Sequence, residues 1–241
     1  MKPLKEFDVD KFEVAAFDWD GTLVDSPGKY RELDQIFVRE YYGVEKSVKE
    51  LRDLFNELWD EGDDGDFWEK YYQHFDQKFG NGDKSVEELT QARQKYLHKV
   101  QSEIEYKENA DAVLQKMRAN HTLKLALATA SKTFDIDYIS EQLQIRGELN
   151  PKESFDLILT MDDVEKKKPH PEIYNQVLGH FATLPSGLVV VEDSLTGVIA
   201  AKTAGATVIN KIDEFSAADQ AEIDAIADFK IEHYDQFLEV I

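Results

Sequence analysis

The chain has 241 residues, of which 42% are hydrophobic and 32% are charged, and its formal net charge at pH 7 is -21. This acidity argues against nucleic acid and anionic membranes as partners, because both are bound by clusters of Lys and Arg. The absence of cysteine excludes disulfides and thiol catalysis. The N-terminus lacks a secretory apolar core and no apolar run is long enough to span a bilayer, so we expect a cytoplasmic protein.

The first predicted element is a short buried strand at residues 14–17, "VAAF", which runs directly into "DWDGTLVDS". Amphipathic helical patterns then occupy 30–43, 47–62, 66–80 and 86–100, with no convincing strand among them. Glycine and aspartate separate these patterns at "EGDDGD" and "GNGD". The block holds most of the aromatic residues, Trp59 and Trp68 included, and we interpret most of these as its core. It predicts an all-helical domain at 28–105, inserted after the first strand.

From residue 109 onward, helices and strands alternate. Continuous apolar runs at 123–129, 157–161, 188–191 and 206–209 predict strands that are covered on both faces. Helical patterns lie at 109–120, 135–145, 171–181 and 194–205, the third of them with Pro171 in its first turn. The alternation predicts an α/β fold with a doubly wound parallel sheet, formed by residues 1–27 and 106–241.

Polar side chains follow the predicted strands where each strand ends. Parallel strands place these groups along one rim, in the crevice where open α/β sheets bind their ligands. The groups in chain order are Asp18, Asp20, Thr129, Ala130, Ser131, Lys132, Asp162, Asp163, Lys168, Glu192 and Asp193. We interpret Asp162 and Asp163 as caps of the following turn or as supports of the site from outside, and His170 between its two prolines as structural.

The remaining rim groups predict phosphoryl-transfer chemistry. Carboxylates crowd together in ionised form only when a cation offsets their repulsion. Oxygen ligands without Cys or His favour a hard metal, Mg²⁺ first. A lysine, a hydroxyl and backbone N–H groups beside such a metal suit a phosphate.

Asp18 and Asp20 lie two residues apart in extended backbone, so their side chains reach the same space while Trp19 points elsewhere. Gly21 allows a sharp turn just beyond them. One carboxylate is then placed to attack phosphorus, and the other to protonate the leaving oxygen and later deprotonate water.

Four motifs in order resemble those of the haloacid dehalogenase superfamily, in its phosphatase and phosphomutase branch. They are "FDWDGTLVDS" (17–26), "LATAS" (127–131), "KKPHPEIY" (167–174) and "VVVEDSLTGVIAAKTAGA" (189–206). The helical insert is similar to the mobile cap of that family, so the resemblance covers the whole chain.

The resemblance implies catalytic and phosphate-binding roles. Asp18 would be the nucleophile and Asp20 the general acid and base. Thr129 and the N–H of Ala130 would hold the transferring phosphoryl group, and Lys168 would offset charge between it and the nucleophile. Lys132 is a weaker candidate near the phosphate.

The resemblance also implies a magnesium site. Asp18 and Asp193 would bind Mg²⁺ directly, Asp20 through its backbone carbonyl, and Glu192 either directly or through water. The substrate would be a small phosphorylated metabolite, such as a sugar phosphate. The oligomeric state has no sequence signal.

Several functions fit this pattern. A phosphatase is the leading one. A phosphomutase is the alternative, although Tyr30 stands where the similar β-phosphoglucomutases carry a histidine. A dehalogenase would need neither Asp20 nor Asp193, and a non-enzymatic sensor of phosphorylated ligands would not need a complete catalytic set. In the insert, Arg31, Arg52 and Lys70 are more consistent with surface salt bridges than with substrate contacts.

Overall fold

The computed structural model describes residues 1–58, 67–120 and 122–241. It divides into two compact units, one formed by Met1–Ser26 with Ile104–Ile241 and the other by Pro27–Glu103. The insert proposed at 28–105 falls on the second unit. Among the described residues, no helix combines the length and the apolar character needed to cross a membrane.

The first unit contains a six-stranded parallel sheet, which confirms the predicted fold class. The strand order is β3-β2-β1-β4-β5-β6. The strands are β1 (Val14–Phe17), β2 (Lys124–Ala128), β3 (Leu157–Leu159), β4 (Leu188–Glu192), β5 (Thr207–Lys211) and β6 (Phe229–Ile231). The first five lie on the predicted apolar runs. The sixth was not predicted, because "FKI" is only three residues long and has a lysine at its centre.

Eleven α-helices are found in the described parts of the chain. In chain order they are α1 (Ser26–Tyr42), α2 (Val48–Leu58), α3 (Phe67–Phe79), α4 (Val86–Gln101), α5 (Ala110–Ala119), α6 (Thr133–Ile145), α7 (Pro151–Ser154), α8 (Glu172–Phe181), α9 (Leu195–Thr203), α10 (Gln220–Ile226) and α11 (Tyr234–Leu238). Pro171, predicted inside the first turn, is instead the N-cap residue of α8. A proline is tolerated there because the first N–H groups of a helix have no intrahelical partner.

The central strands are buried along their whole length. Every residue of β1 and of β4 is buried, as expected for strands with neighbours on both sides and helices over the sheet. In register, Ala16 of β1 lies beside Ala126 of β2 and Val190 of β4. These residues belong to a core cluster that also includes apolar side chains of α8 and α9. The sheet is therefore a rigid support for the groups at its carboxyl edge.

The second unit has its own core of mainly aromatic side chains. Phe37, Tyr71, Tyr72 and Phe75 are buried together with Val38, Leu51, Leu54 and Leu89. The rings of Tyr71 and Phe75 lie 4.4 Å apart between centroids. The aromatic residues of α1 and α3 described here thus form core, as interpreted from the sequence. Trp59 and the side chain of Trp68 lie outside the described residues.

Candidate active site

The carboxyl ends of β1, β2 and β4 meet around a buried lysine. The Asp18 N–H donates to the carbonyl oxygen of Val191 at 3.0 Å, which continues the β1–β4 pairing by one residue. The ammonium group of Lys168 donates to Asp18 Oδ1 at 2.7 Å, Glu192 Oε1 at 2.6 Å and the Ala128 carbonyl oxygen at 3.0 Å. Lys168 therefore joins the ends of all three strands.

The acidic groups of this cluster are buried and close together. Asp18, Glu192 and Asp193 are 6%, 0% and 5% exposed, and each has a carboxylate oxygen within 4.8 Å of one in the other two. The pKa of Asp18 is raised to about 8 by several effects together. Burial raises the pKa most, the Lys168 ammonium lowers it, and the charge of Glu192 raises it. Burial, followed by the charges of Glu192 and Asp18, raises the pKa of Asp193 well above its usual range.

Lys168 offsets only part of this negative charge. Burial by itself would lower the pKa of Lys168, but the carboxylates of Asp18 and Glu192 outweigh burial and raise that pKa well above its ordinary value. The lysine therefore stays charged. The cluster contains three carboxylates and only one ammonium group, which contacts two of them, so a further cation would relieve the repulsion among the carboxylates.

The carboxylates differ in how many hydrogen bonds their oxygens accept from protein donors. Glu192 Oε1 accepts from Lys168 and from the Tyr174 hydroxyl at 3.2 Å, while Oε2 accepts from the N–H groups of Asp193 and Ser194 at 3.0 Å each. Within residues 1–58, 67–120 and 122–241, no hydrogen bond reaches Asp18 Oδ2. The oxygens of Asp18 are thus more available to a metal than those of Glu192.

Asp193 also keeps free acceptor capacity. Its Oδ1 accepts from the Thr22 hydroxyl at 2.8 Å, and its Oδ2 accepts a longer bond from the Ser216 hydroxyl at 3.4 Å. Gly21 has a φ of +78°, and a Cβ at this position would collide with the Asp193 carboxylate. The turn after β1 therefore passes directly over Asp193. This oxygen-only donor set fits a hard divalent cation.

Asp20 lies at the start of the same turn and is held by two hydroxyl groups. The Ser26 hydroxyl donates to Oδ1 and the Ser131 hydroxyl donates to Oδ2. Burial raises the pKa of Asp20, and the hydrogen bonds from Ser131 and Ser26 act in the opposite direction.

The loop after β2 contains the predicted phosphate-binding groups. Thr129 is 1% exposed, and its hydroxyl oxygen accepts from the Ser131 N–H at 3.0 Å. Ala130 is exposed, and no acceptor for its N–H is found in the described parts of the chain. Lys132 is exposed at the N-cap of α6.

Two further sequence interpretations concern residues near the site. Asp163 caps its own turn by accepting from the N–H and hydroxyl of Thr160 at 2.8 and 2.9 Å, and Asp162 accepts from the Thr133 N–H at 2.9 Å. Asp163 is thus a cap of the turn after β3, as interpreted, whereas Asp162 caps the start of α6 instead. Trp19 is fully buried with its ring edge-on to Tyr106, 6.1 Å away between centroids.

The remaining residues singled out from the sequence are His170 and three basic residues of the insert. His170 is largely exposed, near Glu172. Lys70 is exposed, and the side chains of Arg31 and Arg52 lie outside the described residues.

The sequence analysis missed most of the residues that orient the carboxylates. Those missed are Thr22, Ser26, Tyr174, Ser194 and Ser216, whereas Ser131 was named among the rim groups without a role. Most of them lie inside the quoted motifs, so their positions carried a signal, but hydroxyl side chains are common at turns and helix starts for local reasons. Ser216 carried no signal, because only the fold brings it to Asp193.

The comparisons with known proteins agree with this geometry. The family model described as haloacid dehalogenase-like hydrolase matches residues 15–211. The chain is 31% identical to "Putative phosphatase YhcW" of Bacillus subtilis (strain 168) over 192 residues, 78% of either chain. It is 26% identical to validoxylamine A 7'-phosphate phosphatase of Streptomyces hygroscopicus subsp. limoneus over 215 residues, which cover 89% of this chain and 92% of the relative.

A solved structure described as a "putative beta-phosphoglucomutase" from Thermotoga maritima superposes with a TM-score of 0.78 at 25% identity. The match covers 95% of this chain and all of that one. The chain belongs to the haloacid dehalogenase-like hydrolases, as an enzyme of their phosphatase branch.

Proposed function

We propose that the protein is a Mg²⁺-dependent phosphohydrolase that releases phosphate from a small phosphorylated metabolite, with sugar phosphates as the first class to test. The observation that carries the proposal is the buried cluster in which Lys168 bridges Asp18 and Glu192 beside Asp193. The site has one lysine for three carboxylates, so it has a place for a divalent cation next to an acceptor of phosphorus.

The first step of the proposed reaction is attack on the substrate phosphorus by a carboxylate oxygen of Asp18. The bond from phosphorus to the leaving oxygen breaks, and that oxygen takes a proton from the Asp20 carboxyl. In the second step a water molecule attacks phosphorus and displaces Asp18, while the Asp20 carboxylate accepts a proton from that water. The products are the alcohol and inorganic phosphate, and both aspartates return to their starting state.

The remaining groups hold the phosphoryl group and balance charge. The Thr129 hydroxyl and the N–H of Ala130 would bind its oxygens, and Lys168 would offset the charge between phosphate and Asp18. Mg²⁺, held by Asp18, Asp193, the Asp20 carbonyl and Glu192, would stabilise negative charge on the phosphate oxygens when bound. Because protein donors engage both Glu192 oxygens, we propose that Glu192 acts on the metal through water.

A phosphomutase is the second candidate, favoured by the similarity to the Thermotoga maritima structure. Tyr30 stands where β-phosphoglucomutases carry a histidine, which favours hydrolysis. The two are separated by incubation with glucose 1-phosphate and Mg²⁺: release of phosphate without isomerisation supports the phosphatase, and isomerisation supports the mutase.

The test of the proposed function is a screen for phosphate release from a panel of phosphorylated metabolites with and without Mg²⁺. We expect metal-dependent release that Asp18→Asn abolishes, because the amide is not a nucleophile. Asp162→Asn is a matched control, since Asp162 only caps the start of α6. Release by Asp18→Asn at the wild-type rate would refute the proposal, as would full activity in the presence of a chelator.

A further inference from the structure

Each of the two carboxylate oxygens of Asp20, the proposed acid and base, accepts a hydrogen bond from a side-chain hydroxyl. The donor to Oδ1 is Ser26, which is fully buried, and the donor to Oδ2 is Ser131, which is partly buried. Neither serine has a part in the reaction steps given above. Their position on the proposed acid and base therefore needs a separate explanation.

Ser131 is itself fixed by its backbone. Its N–H donates to the Thr129 hydroxyl oxygen at 3.0 Å, and its carbonyl oxygen accepts from the Met161 N–H at 3.0 Å. The loop after β2 is thus tied to the loop after β3 on one side and to the end of its own strand on the other. Because both backbone groups are held, the Ser131 hydroxyl approaches Asp20 from a defined direction.

A carboxyl group with a separate donor on each oxygen cannot rotate without breaking one hydrogen bond. Proton transfer to a leaving oxygen requires the acid to lie within hydrogen-bond reach of it, and small misplacements of a catalytic group are costly. We propose that Ser131 is a positioning residue that fixes the Asp20 carboxyl for proton transfer to the leaving oxygen, with Ser26 holding the other oxygen. This inference rests on the proposed function, because it presupposes that Asp20 is the acid.

The leaving group offers a way to isolate this role. When Asp18 attacks phosphorus and the bond to an alkyl oxygen breaks, that oxygen needs the proton of Asp20, since an alkoxide is a poor leaving group. The p-nitrophenolate anion is stable and departs without a proton. Loss of acid positioning must therefore slow the cleavage of alkyl phosphates far more than that of p-nitrophenyl phosphate.

The experiment measures kcat/KM for Ser131→Ala with p-nitrophenyl phosphate and with the best alkyl phosphate of the metabolite panel, both with Mg²⁺. This ratio reports steps up to departure of the leaving group, so the later hydrolysis step does not obscure it. We expect a loss of about 10- to 100-fold with the alkyl phosphate and less than about 3-fold with p-nitrophenyl phosphate. Ser131→Thr keeps the hydroxyl and should retain most of the activity with both.

Two control variants separate the possible failures. Ser140→Ala removes a buried hydroxyl from α6 that has no hydrogen-bond partner among the described residues. This variant should leave kcat/KM unchanged for both substrates. Asp20→Asn should show the leaving-group dependence at full size; if it does not, the role of Asp20 in the proposed function is wrong. Suppose instead that Asp20→Asn shows the leaving-group dependence, but Ser131→Ala lowers kcat/KM equally for the two substrates or leaves both values unchanged. The inference about Ser131 is then refuted and the proposed function stands.

Discussion

Replacing Lys168 with methionine probes the charge balance of the site most severely. The Lys168 side chain is 5% exposed, and its ammonium group lies 2.6 Å from Glu192 and 2.7 Å from Asp18. Methionine has a similar length but no charge. The substitution leaves the fully buried Glu192 carboxylate without the cation that compensates it.

The size of the effect follows from the loss of this buried ion pair. Breaking a buried ion pair by removing one partner costs about 3–5 kcal/mol, because the remaining charge stays buried without compensation. We expect Lys168→Met to lower the free energy of unfolding by about this amount.

The assay is urea unfolding of wild type and Lys168→Met in a chelator at pH 7. Lys166→Met is the matched control, because Lys166 is an exposed lysine of the same loop and its substitution should change stability by no more than about 0.5 kcal/mol. A penalty below about 1 kcal/mol for Lys168→Met would contradict the buried ion pairs described here.

Two other predictions use the same cluster. A Cβ at Gly197 would collide with the Glu192 carboxylate, so Gly197→Ala should destabilise the protein by more than about 2 kcal/mol in thermal or urea unfolding. Gly179→Ala, a helical glycine with open space around it, should instead gain about 0.5–1 kcal/mol; equal effects of the two would be inconsistent with the packing. Because a metal binds the ionised forms of Asp18 and Asp193, whose pKa values burial raises, calorimetry should show apparent Mg²⁺ affinity rising with pH between 6 and 8. An affinity independent of pH over this range would contradict the raised pKa values of these proposed ligands.

Much of the α/β fold could be predicted from the sequence because its strands are continuous apolar runs. β1 and β4 are buried on both faces and therefore have a strong compositional signal. The edge strand β6 does not, since only Phe229 and Ile231 are buried while Lys230 is partly exposed. Three alternating residues are too few to distinguish a strand from a loop.

The candidate site shows the same limit at the level of single side chains. Acidic residues that directly follow buried strands are unusual, so Asp18 and Asp193 could be selected from the sequence alone. The hydroxyl groups of Ser26, Ser131 and Ser216 orient carboxylates that are 6, 111 and 23 residues away in the chain. Only the folded sheet brings Ser131 and Ser216 next to these carboxylates, and a serine in a loop has many local uses.

The most direct test of the account is to identify the group that accepts phosphorus. The enzyme is quenched in acid during turnover with Mg²⁺ and substrate, reduced with borohydride and sequenced by mass spectrometry. Reduction of an acyl phosphate converts the aspartate that carried it into homoserine. The account predicts this conversion at residue 18 alone; conversion at another aspartate, or steady turnover without any covalent adduct, would contradict it.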